Sequence, residues 1–584
     1  MTRLAIIHKE KCKPTTCGHL CSKYCPINKK EENCIEISSK AKIDEKLCIG
    51  CGICQNRCPL GAIEIINLPS VDEKNLMYRY GENGFALYGL PTPKPGAILG
   101  LLGRNGIGKS TAIEILAGKK QINLGKETIK EGDIKDFLQG TELLRYFESL
   151  KDKKISYKPQ NLSSLSQNIK VVDLLKERNN GDVLEIETLA KKLNISNILE
   201  NKLNKLSGGE LQRVAILAAT LGDADIYFFD EPLAYLDIGE RLRVSDFLKE
   251  LSQGKTLIVV EHDLLILDYL TEYLNIFYGQ QACFGAVSGI KSSKEGINSY
   301  LQGFLKQENI KIRDKELNFN FTKNKSSAGH KIAEWPAFYK NFDNFNLKIN
   351  SGEIKENQVI GILGKNGTGK TSFVKCLAGL EKVRLEHDKN KKEVALNLKL
   401  DISYKSQYLH QDKEKEIIVR EIMMKEKINK KLASMFNLET IYQKKLKELS
   451  GGELQRFSIA RCLAKNADVY LIDEPSAYLD VEERIAVAKT IKDIMTEKQK
   501  TAFVVDHDLL LISYLADNIL VFSGQPGIKG ESSELLDFEE GVSKLLQELD
   551  ITLRKEVNSG RPRINNRDSV LDREQKQKGK WAIF

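Results

Sequence analysis

Two nine-residue strings, GRNGIGKST beginning at Gly103 and GKNGTGKTS beginning at Gly364, each satisfy the pattern GxxxxGK[ST], and each sits between the same flanking signals. The apolar runs AILGLLG and VIGILG precede them and read as buried strands; apolar-periodic segments ending in LAG follow and read as helices. A strand–loop–helix context is what a phosphate-binding loop needs. Glycines such as Gly103, Gly106, Gly108, Gly364, Gly367 and Gly369 let the backbone wrap an anion. Lys109 and Lys370 reach the terminal phosphates, and Ser110 and Thr371 are placed to ligate magnesium. Asn105, Thr111, Asn366 and Ser372 complete the two loops.

The repetition extends well past the loops. LSGGELQR occurs at Leu206–Arg213 and again, without a mismatch, at Leu449–Arg456. IYFFDEP and VYLIDEP follow, each a short apolar strand ending in an acidic pair that offers Asp230 or Asp473 to magnesium and Glu231 or Glu474 to the attacking water. AYLD comes next in both halves, and then a histidine, His262 or His507, after a β-branched run. Gln160 in YKPQ and Gln407 in YKSQ fall between loop and LSGGELQR and add candidate magnesium contacts. This ordered set resembles ATP-binding-cassette ATPase domains from about residue 75 to about 540. The resemblance implies head-to-tail composite sites, in which Lys109 shares its ATP with Ser450, Gly451 and Gly452, and Lys370 shares its own with Ser207, Gly208 and Gly209.

Composition narrows what such cassettes could drive. A chain of 584 residues, 41% hydrophobic and 29% charged, suits several soluble globular domains. No run approaches the ~18 apolar residues of a membrane helix, and the start MTRLAIIHKEKC lacks the features of a signal peptide. A fused pair of cassettes without spans is expected to move something soluble; a separate transmembrane partner is the alternative.

Nine of the twelve cysteines lie in the first 58 residues. Cys48, Cys51, Cys54 and Cys58 follow CxxCxxCxxxCP, the bacterial ferredoxin run for a [4Fe–4S] cluster, and Cys12, Cys17, Cys21 and Cys25 form a looser run also closed by proline. Because the fourth cysteine of each run serves the other cluster in two-cluster ferredoxins, the expected sets are Cys48, Cys51, Cys54 and Cys25, and Cys12, Cys17, Cys21 and Cys58. Zinc is the competing reading of these thiols. Thiolates of this kind belong in a reducing, cytoplasmic compartment. Cys34, Cys283, Cys376 and Cys462 are left as small buried residues.

A two-cluster head fused to tandem cassettes resembles the ribosome-recycling ATPase family once called the ribonuclease L inhibitor. The resemblance runs over the whole chain and includes LPTPKPG, DEPSAYLD, VEHDLLILDYL and the tail RPRINNRDS. It implies an α/β fold: a small α+β ferredoxin-like domain over 1–72, a first cassette over 73–295, a hinge over 296–325, a second cassette over 326–540 and a hinge or tail over 541–584. It also implies ATP hydrolysis that splits ribosomes after termination or stalling, beside a release factor or its stalled-ribosome relative, with retention on the small subunit. A cytoplasmic monomer is expected. An ATP-gated iron–sulfur electron-transfer protein is the alternative function.

Spacing locates an insertion. Lys109 and Ser207 are 98 positions apart (207 less 109) but Lys370 and Ser450 only 80 (450 less 370), whereas each serine stands 23 before its strand-end aspartate (230 less 207, 473 less 450). DFLQGTELLRYFESL, near 136–150, has helical apolar spacing and is the expected helix-loop-helix, either a ribosome contact or a solvated hairpin. The net charge of +9 suits an RNA partner; Arg313, Arg561, Arg563 and Arg567 are the candidate phosphate contacts, with packing between cassettes as the other reading. Tyr80 and Phe85 are candidates to stack on adenine at the first site.

Overall fold

The computed structural model describes residues 3–7, 11–30, 32–44, 47–67, 75–126, 128–165, 167–179, 181–313, 316–317, 329–342, 344–386, 392–407, 416–557 and 559–583. The expected junctions at 72/73 and 325/326 lie outside these residues.

Each cassette is built on one large twisted sheet. In the first, the spatial order is Leu76–Arg79, Ala86–Tyr88, Phe284–Val287, Tyr273–Gln280, Ile98–Leu102, Thr256–Val260, Ile226–Asp230 and Ile155–Lys158. The second repeats this with Asn346–Ile349, Lys529–Ser532, Asn518–Gln525, Val359–Gly364, Thr501–Val505, Val469–Asp473 and Ile402–Lys405. The central strands are parallel and buried throughout, which is why they read as nearly continuous apolar runs: helices cover both faces, so polar residues stand only at strand ends, as Thr256, Thr501, Asp230 and Asp473 do. Register is conserved between the halves, with Asp230 opposite Val260 and Asp473 opposite Val505. Phosphate loop, acidic pair and histidine all leave the carboxyl ends of adjacent parallel strands, where open α/β sheets place their ligands.

The head pairs Arg3–Ile7 antiparallel with Ile63–Asn67 and adds a hairpin, Ile35–Ile37 with Ala41–Ile43. Short helices Pro14–Cys17, Leu20–Lys23 and Ile53–Arg57 carry or adjoin its cysteines. Asn83 of the first cassette fastens it: its side chain accepts from Ile43 N–H at 2.9 Å and donates to Ile43 C=O at 2.7 Å. Glu64 of the head bonds Gln280 of the cassette.

The insertion forms two helices, Glu131–Leu138 and Glu142–Ser149. The first starts five residues ahead of the expected Asp136, because Glu131 and Asp133 complement the positive helix start. Leu138, Leu143 and Tyr146 are buried, and the Tyr146 hydroxyl donates to Leu116 C=O at 2.8 Å, tying the hairpin to the end of the phosphate-loop helix.

Two helices straddle expected boundaries. Ser293–Gln302 packs on the first-cassette strand Tyr273–Gln280, and Phe538–Leu549 on the second-cassette strand Asn518–Gln525, so each belongs with its cassette core. The tail then crosses over. Its hairpin, Leu553–Lys555 with Pro562–Ile564, packs on the first-cassette helix Leu264–Leu270. Arg561 is fully buried there, 2.9 Å from Asp268, and Arg563 meets the same carboxylate at 2.8 Å. Reading Arg561 as a phosphate contact is therefore corrected, since a guanidinium without exposed surface cannot reach RNA. Arg313 likewise turns inward, bonding Tyr300 C=O and standing 3.6 Å from Glu482 of the second cassette. Arg567, half exposed, lies 3.4 Å from Asp246. Among the described residues no helix is long and apolar enough to cross a membrane.

Candidate nucleotide and cluster sites

The phosphate-loop helices begin at Lys109 and Lys370, each after a glycine in the left-handed region, Gly108 and Gly369, both at φ 96°. A side chain at Gly108 would strike the Phe85 ring at 2.8 Å, and one at Gly369 would strike Leu347 at 2.6 Å. Glycine is thus required for conformation and for space. Lys109 Nζ turns back to the carbonyls of Gly103 and Arg104 at 2.8 and 2.7 Å; Lys370 does the same with Gly364 and Lys365 at 2.9 and 2.7 Å. Burial pushes both ammonium groups down to about 8, against the pull of nearby carboxylates. Bringing phosphate to these loops would restore their charge.

Ser207 and Ser450 cap the helices Gly208–Thr220 and Gly451–Ala464, with Glu210 and Glu453 closing reciprocal capping boxes. Beyond them the tyrosines of AYLD meet between the cassettes: the Tyr235 and Tyr478 hydroxyls are 3.5 Å apart, and each ring lies against its own signature glycine, Gly208 or Gly451. Asn105 N–H donates to Asp480 at 3.0 Å, and Asn366 N–H to Asp237 at 2.6 Å. Each phosphate loop therefore rests on the opposite cassette. Ser207, Gly208 and Gly209 line, with Ser450, Gly451, Gly452 and both loops, one shared cleft of about 2810 Å³.

The acidic pair ends its strand at a kink. Glu231 and Glu474 adopt φ of 46° and 47°, a left-handed conformation uncommon outside glycine. Gln160 donates to Glu231 at 2.8 Å, and His262 Nε2 is 3.4 Å from the same oxygen. Burial opposes ionisation of Glu231, yet His262, Lys109 and Gln160 outweigh it and draw its carboxyl down to about 2. His262 itself is pushed down by burial and by Lys109. Asp230 is pushed up to about 6 by burial and by Glu231. At the second site His507 Nε2 is 3.6 Å from Glu474, whose carboxyl is raised by burial and by Asp473 despite Gln407 and Lys370. Asp473 is sealed from solvent with no well-formed hydrogen bond to either carboxylate oxygen. Dry carboxylates beside the Ser110 and Thr371 hydroxyls form an oxygen donor set suited to magnesium.

Tyr80 donates or accepts at 3.1 Å with Thr111, while Lys120 bonds its hydroxyl at 2.6 Å and stands 4.5 Å from its ring centre. Phe85 packs on the phosphate loop. Two second-site counterparts escaped the sequence reading. Phe342 N–H donates to Phe345 C=O at 2.8 Å as Tyr80 N–H does to Phe85 at 2.9 Å, and Phe345 packs on Gly369 as Phe85 does on Gly108. The shared FxL of Phe85–Leu87 and Phe345–Leu347 was the available signal; the shorter second loop hid it.

In the head, burial raises the Cys21 thiol, with Cys17, Cys58 and Cys12 adding to it; burial likewise pushes Cys54 up to about 12, with Cys48, Cys51 and Cys25 as neighbours. Cys12, Cys17 and Cys58 thus stand near Cys21, and Cys25, Cys48 and Cys51 near Cys54. Such crowded thiols ionise together only beside strong positive charge, which fits iron clusters. Cys34 is buried against Cys25 and Cys48.

Family models for "ABC transporter" match residues 92–234 and 347–477, for "4Fe-4S binding domain" residues 41–64, and for "Possible Fer4-like domain in RNase L inhibitor, RLI" residues 2–33. An uncharacterized ABC transporter ATP-binding protein of Methanocaldococcus jannaschii is 42% identical over 99% of this chain and 97% of its own. The structure titled "Model of ribosome-bound archaeal Pelota and ABCE1" superposes with a TM-score of 0.92 at 41% identity, covering 100% of this chain and 99% of that one. A complex of archaeal ribosomal stalk protein aP1 and archaeal ribosome recycling factor aABCE1 gives 0.80 at 40% identity, over 88% and 100%. Likeness of this degree, extending through head and both cassettes, makes the chain an ATP-hydrolysing, iron–sulfur member of the RNase L inhibitor family.

Proposed function

We propose that the chain is an ATP-driven ribosome recycling factor, which splits ribosomes into subunits after termination or stalling together with a release factor or its stalled-ribosome relative, and stays on the small subunit. The observation that carries this reading is the reciprocal seating of each phosphate loop on the other cassette, Asn105 on Asp480 and Asn366 on Asp237. Filling either site must then move one cassette against the other, and the head, fastened through Asn83, moves with the first. The full-length likeness to an ABCE1 described as ribosome-bound beside Pelota, and to one described as a ribosome recycling factor, supports the ribosome as the load. The protein would act as a monomer in the cytoplasm, without membrane.

Glu231 and Glu474 orient and polarise the attacking water; His262 and His507 hold the terminal phosphate; Lys109 and Lys370 neutralise it. Ser207, Gly208 and Gly209, or Ser450, Gly451 and Gly452, close on ATP from across the cleft. Magnesium, held by Ser110, Gln160 and Asp230 or by Thr371, Gln407 and Asp473, would supply charge neutralisation between the phosphates. Tyr80 and Phe342 are positioned to stack on adenine. Two [4Fe–4S] clusters on the two thiol sets would rigidify the head as a lever. Exposure of Cys51 favours the second reading, ATP-gated electron transfer, because a cluster held by it would be open to an electron acceptor.

Sedimentation of cognate ribosomes with anaerobically purified protein, release factor and ATP tests the proposal. Wild type should convert ribosomes to free subunits, and Glu231→Gln/Glu474→Gln should bind without releasing them. Intact ribosomes with no bound protein would move the assignment to the redox reading.

A further inference from the structure

Two lysines have no part in the reading above, yet they occupy matching places in the two halves. Lys158 ends the strand Ile155–Lys158 opposite Phe229, and Lys405 ends Ile402–Lys405 opposite Ile472; in both cases the partner strand delivers the acidic pair. Both side chains are buried, at 1% and 3% exposure. A buried ammonium costs free energy unless its protons are taken up, and here both acceptors are main-chain carbonyls rather than a carboxylate. Lys158 Nζ donates to Asp230 C=O at 2.9 Å and to Glu231 C=O at 3.1 Å. Lys405 Nζ donates to Asp473 C=O at 2.6 Å and to Glu474 C=O at 3.3 Å.

Those carbonyls bracket the backbone kink. Glu231 and Glu474 are held in the left-handed region, and such strain persists only where surroundings over-determine it. The surroundings are the same in both halves. Gln212 and Gln455 each donate at 2.6 Å to the glutamate carbonyl, and the glutamate N–H groups donate to Val260 C=O at 3.1 Å and Val505 C=O at 2.8 Å. Among the hydrogen bonds of the described residues, only the lysine reaches both the aspartate and the glutamate carbonyl. One cation thereby fixes how the two carboxylates diverge, the aspartate toward the metal position and the glutamate toward the water.

We propose that Lys158 and Lys405 are positioning residues for ATP hydrolysis, each holding the Asp–Glu backbone kink so that the glutamate stays aimed at the attacking water. The proposal rests on Glu231 and Glu474 acting on that water. Methionine fills the lysine volume and donates nothing, so the kink should relax toward ordinary backbone without disturbing the phosphate loop.

The test uses the full chain with clusters loaded, as Lys158→Met/Lys405→Met, with Lys158→Gln/Lys405→Gln and Glu231→Gln/Glu474→Gln beside it. Turnover, binding of a fluorescent ATP analogue and thermal melting are measured for each. The Met variant should lose about 10- to 100-fold in kcat, the scale expected of a misplaced catalytic group, with analogue affinity and melting near wild type. Gln retains an N–H donor and should recover part of the loss. Unchanged kcat in the Met variant, or a loss of kcat that only accompanies lost affinity and melting, overturns the proposal. If the Met variant does not melt cooperatively, the Gln variant decides: reduced kcat at wild-type affinity supports positioning, and wild-type kcat overturns it. Normal turnover in the Glu→Gln control would instead bring down the underlying assignment of the glutamates.

Discussion

At the first nucleotide site Glu231 lies under Gln160 and His262 with its carboxyl drawn down to about 2, whereas at the second site Glu474 is raised by burial and by Asp473. The motif strings around the two glutamates are nearly identical, and the histidine marks the difference: His262, 3.4 Å away, helps lower Glu231, whereas His507 stands 3.6 Å from Glu474. Leu233 follows the first acidic pair where Ser476 follows the second. Glu261 accepts from the Leu233 N–H at 2.8 Å and from the His262 N–H at 3.2 Å, while the shorter Asp506 takes the Ser476 N–H at 2.9 Å and also its hydroxyl at 2.7 Å. The helix after His262 carries Asp268, gripped by Arg561 of the tail; the matching position after His507 is Ser513, without that grip. Repeated motifs preserve the placement of catalytic groups, and their neighbours set each site's charge and stiffness.

The largest test of this contrast is turnover in the single variants Glu231→Gln and Glu474→Gln. Each should remove its own site's hydrolysis, a loss on the order of 10²–10⁴ for a group acting as general base, and leave that site holding ATP. Steady-state rates of the two should differ; equal rates would break the asymmetry, and unchanged rates in both would refute the assignment. Next in size, Arg561→Ala removes one of the two guanidinium partners of buried Asp268, leaving Arg563, and should cost up to about 3 kcal/mol, the lower end for breaking a buried ion pair. A two-step melt, with the first cassette unfolding early, would report it. Arg567→Ala, at a half-exposed pair, should cost under about 1 kcal/mol.

A pH-dependent effect follows from Glu261, whose carboxyl burial pushes up to about 7 from 4.5. The folded state then holds its proton more tightly than the unfolded chain, so this stabilisation is full below pH 4.5 and is lost as pH rises through 7. Glu261→Gln should flatten that decline, by up to about 3 kcal/mol, in melting curves between pH 5 and 8. Asp506→Asn should act over a lower window, because Asp506 is pushed up only to about 6. Superimposable profiles would erase this part of the contrast. Tyr80→Leu and Phe342→Leu should each weaken nucleotide binding at one site by about 1 kcal/mol or somewhat more, the scale of aromatic–base stacking. Equilibrium titration of each variant in the background of the other site's Glu→Gln checks the pairing.

The sequence by itself determined the local chemistry. Gly108 and Gly369 announce the anion loops because only glycine fits a left-handed position against Phe85 or Leu347; the buried parallel strands show as apolar runs because helices cover both faces; and the cysteine spacing shows two runs in the head. Those signals are short-range and survive in a string of letters. Tertiary structure alone decided what depends on residues far apart. The tail arginine read as an RNA contact is sealed against Asp268, nearly 300 positions earlier, because the terminal hairpin folds back onto the first cassette. The helices at 293–302 and 538–549 joined the cassettes, because each finds its apolar face covered there and not in a hinge. Phe342 and the two buried lysines became visible only when chain pairing set them beside a phosphate loop or an acidic pair. Burial and charge at a site are sums over neighbours in space, and those neighbours are supplied by the fold.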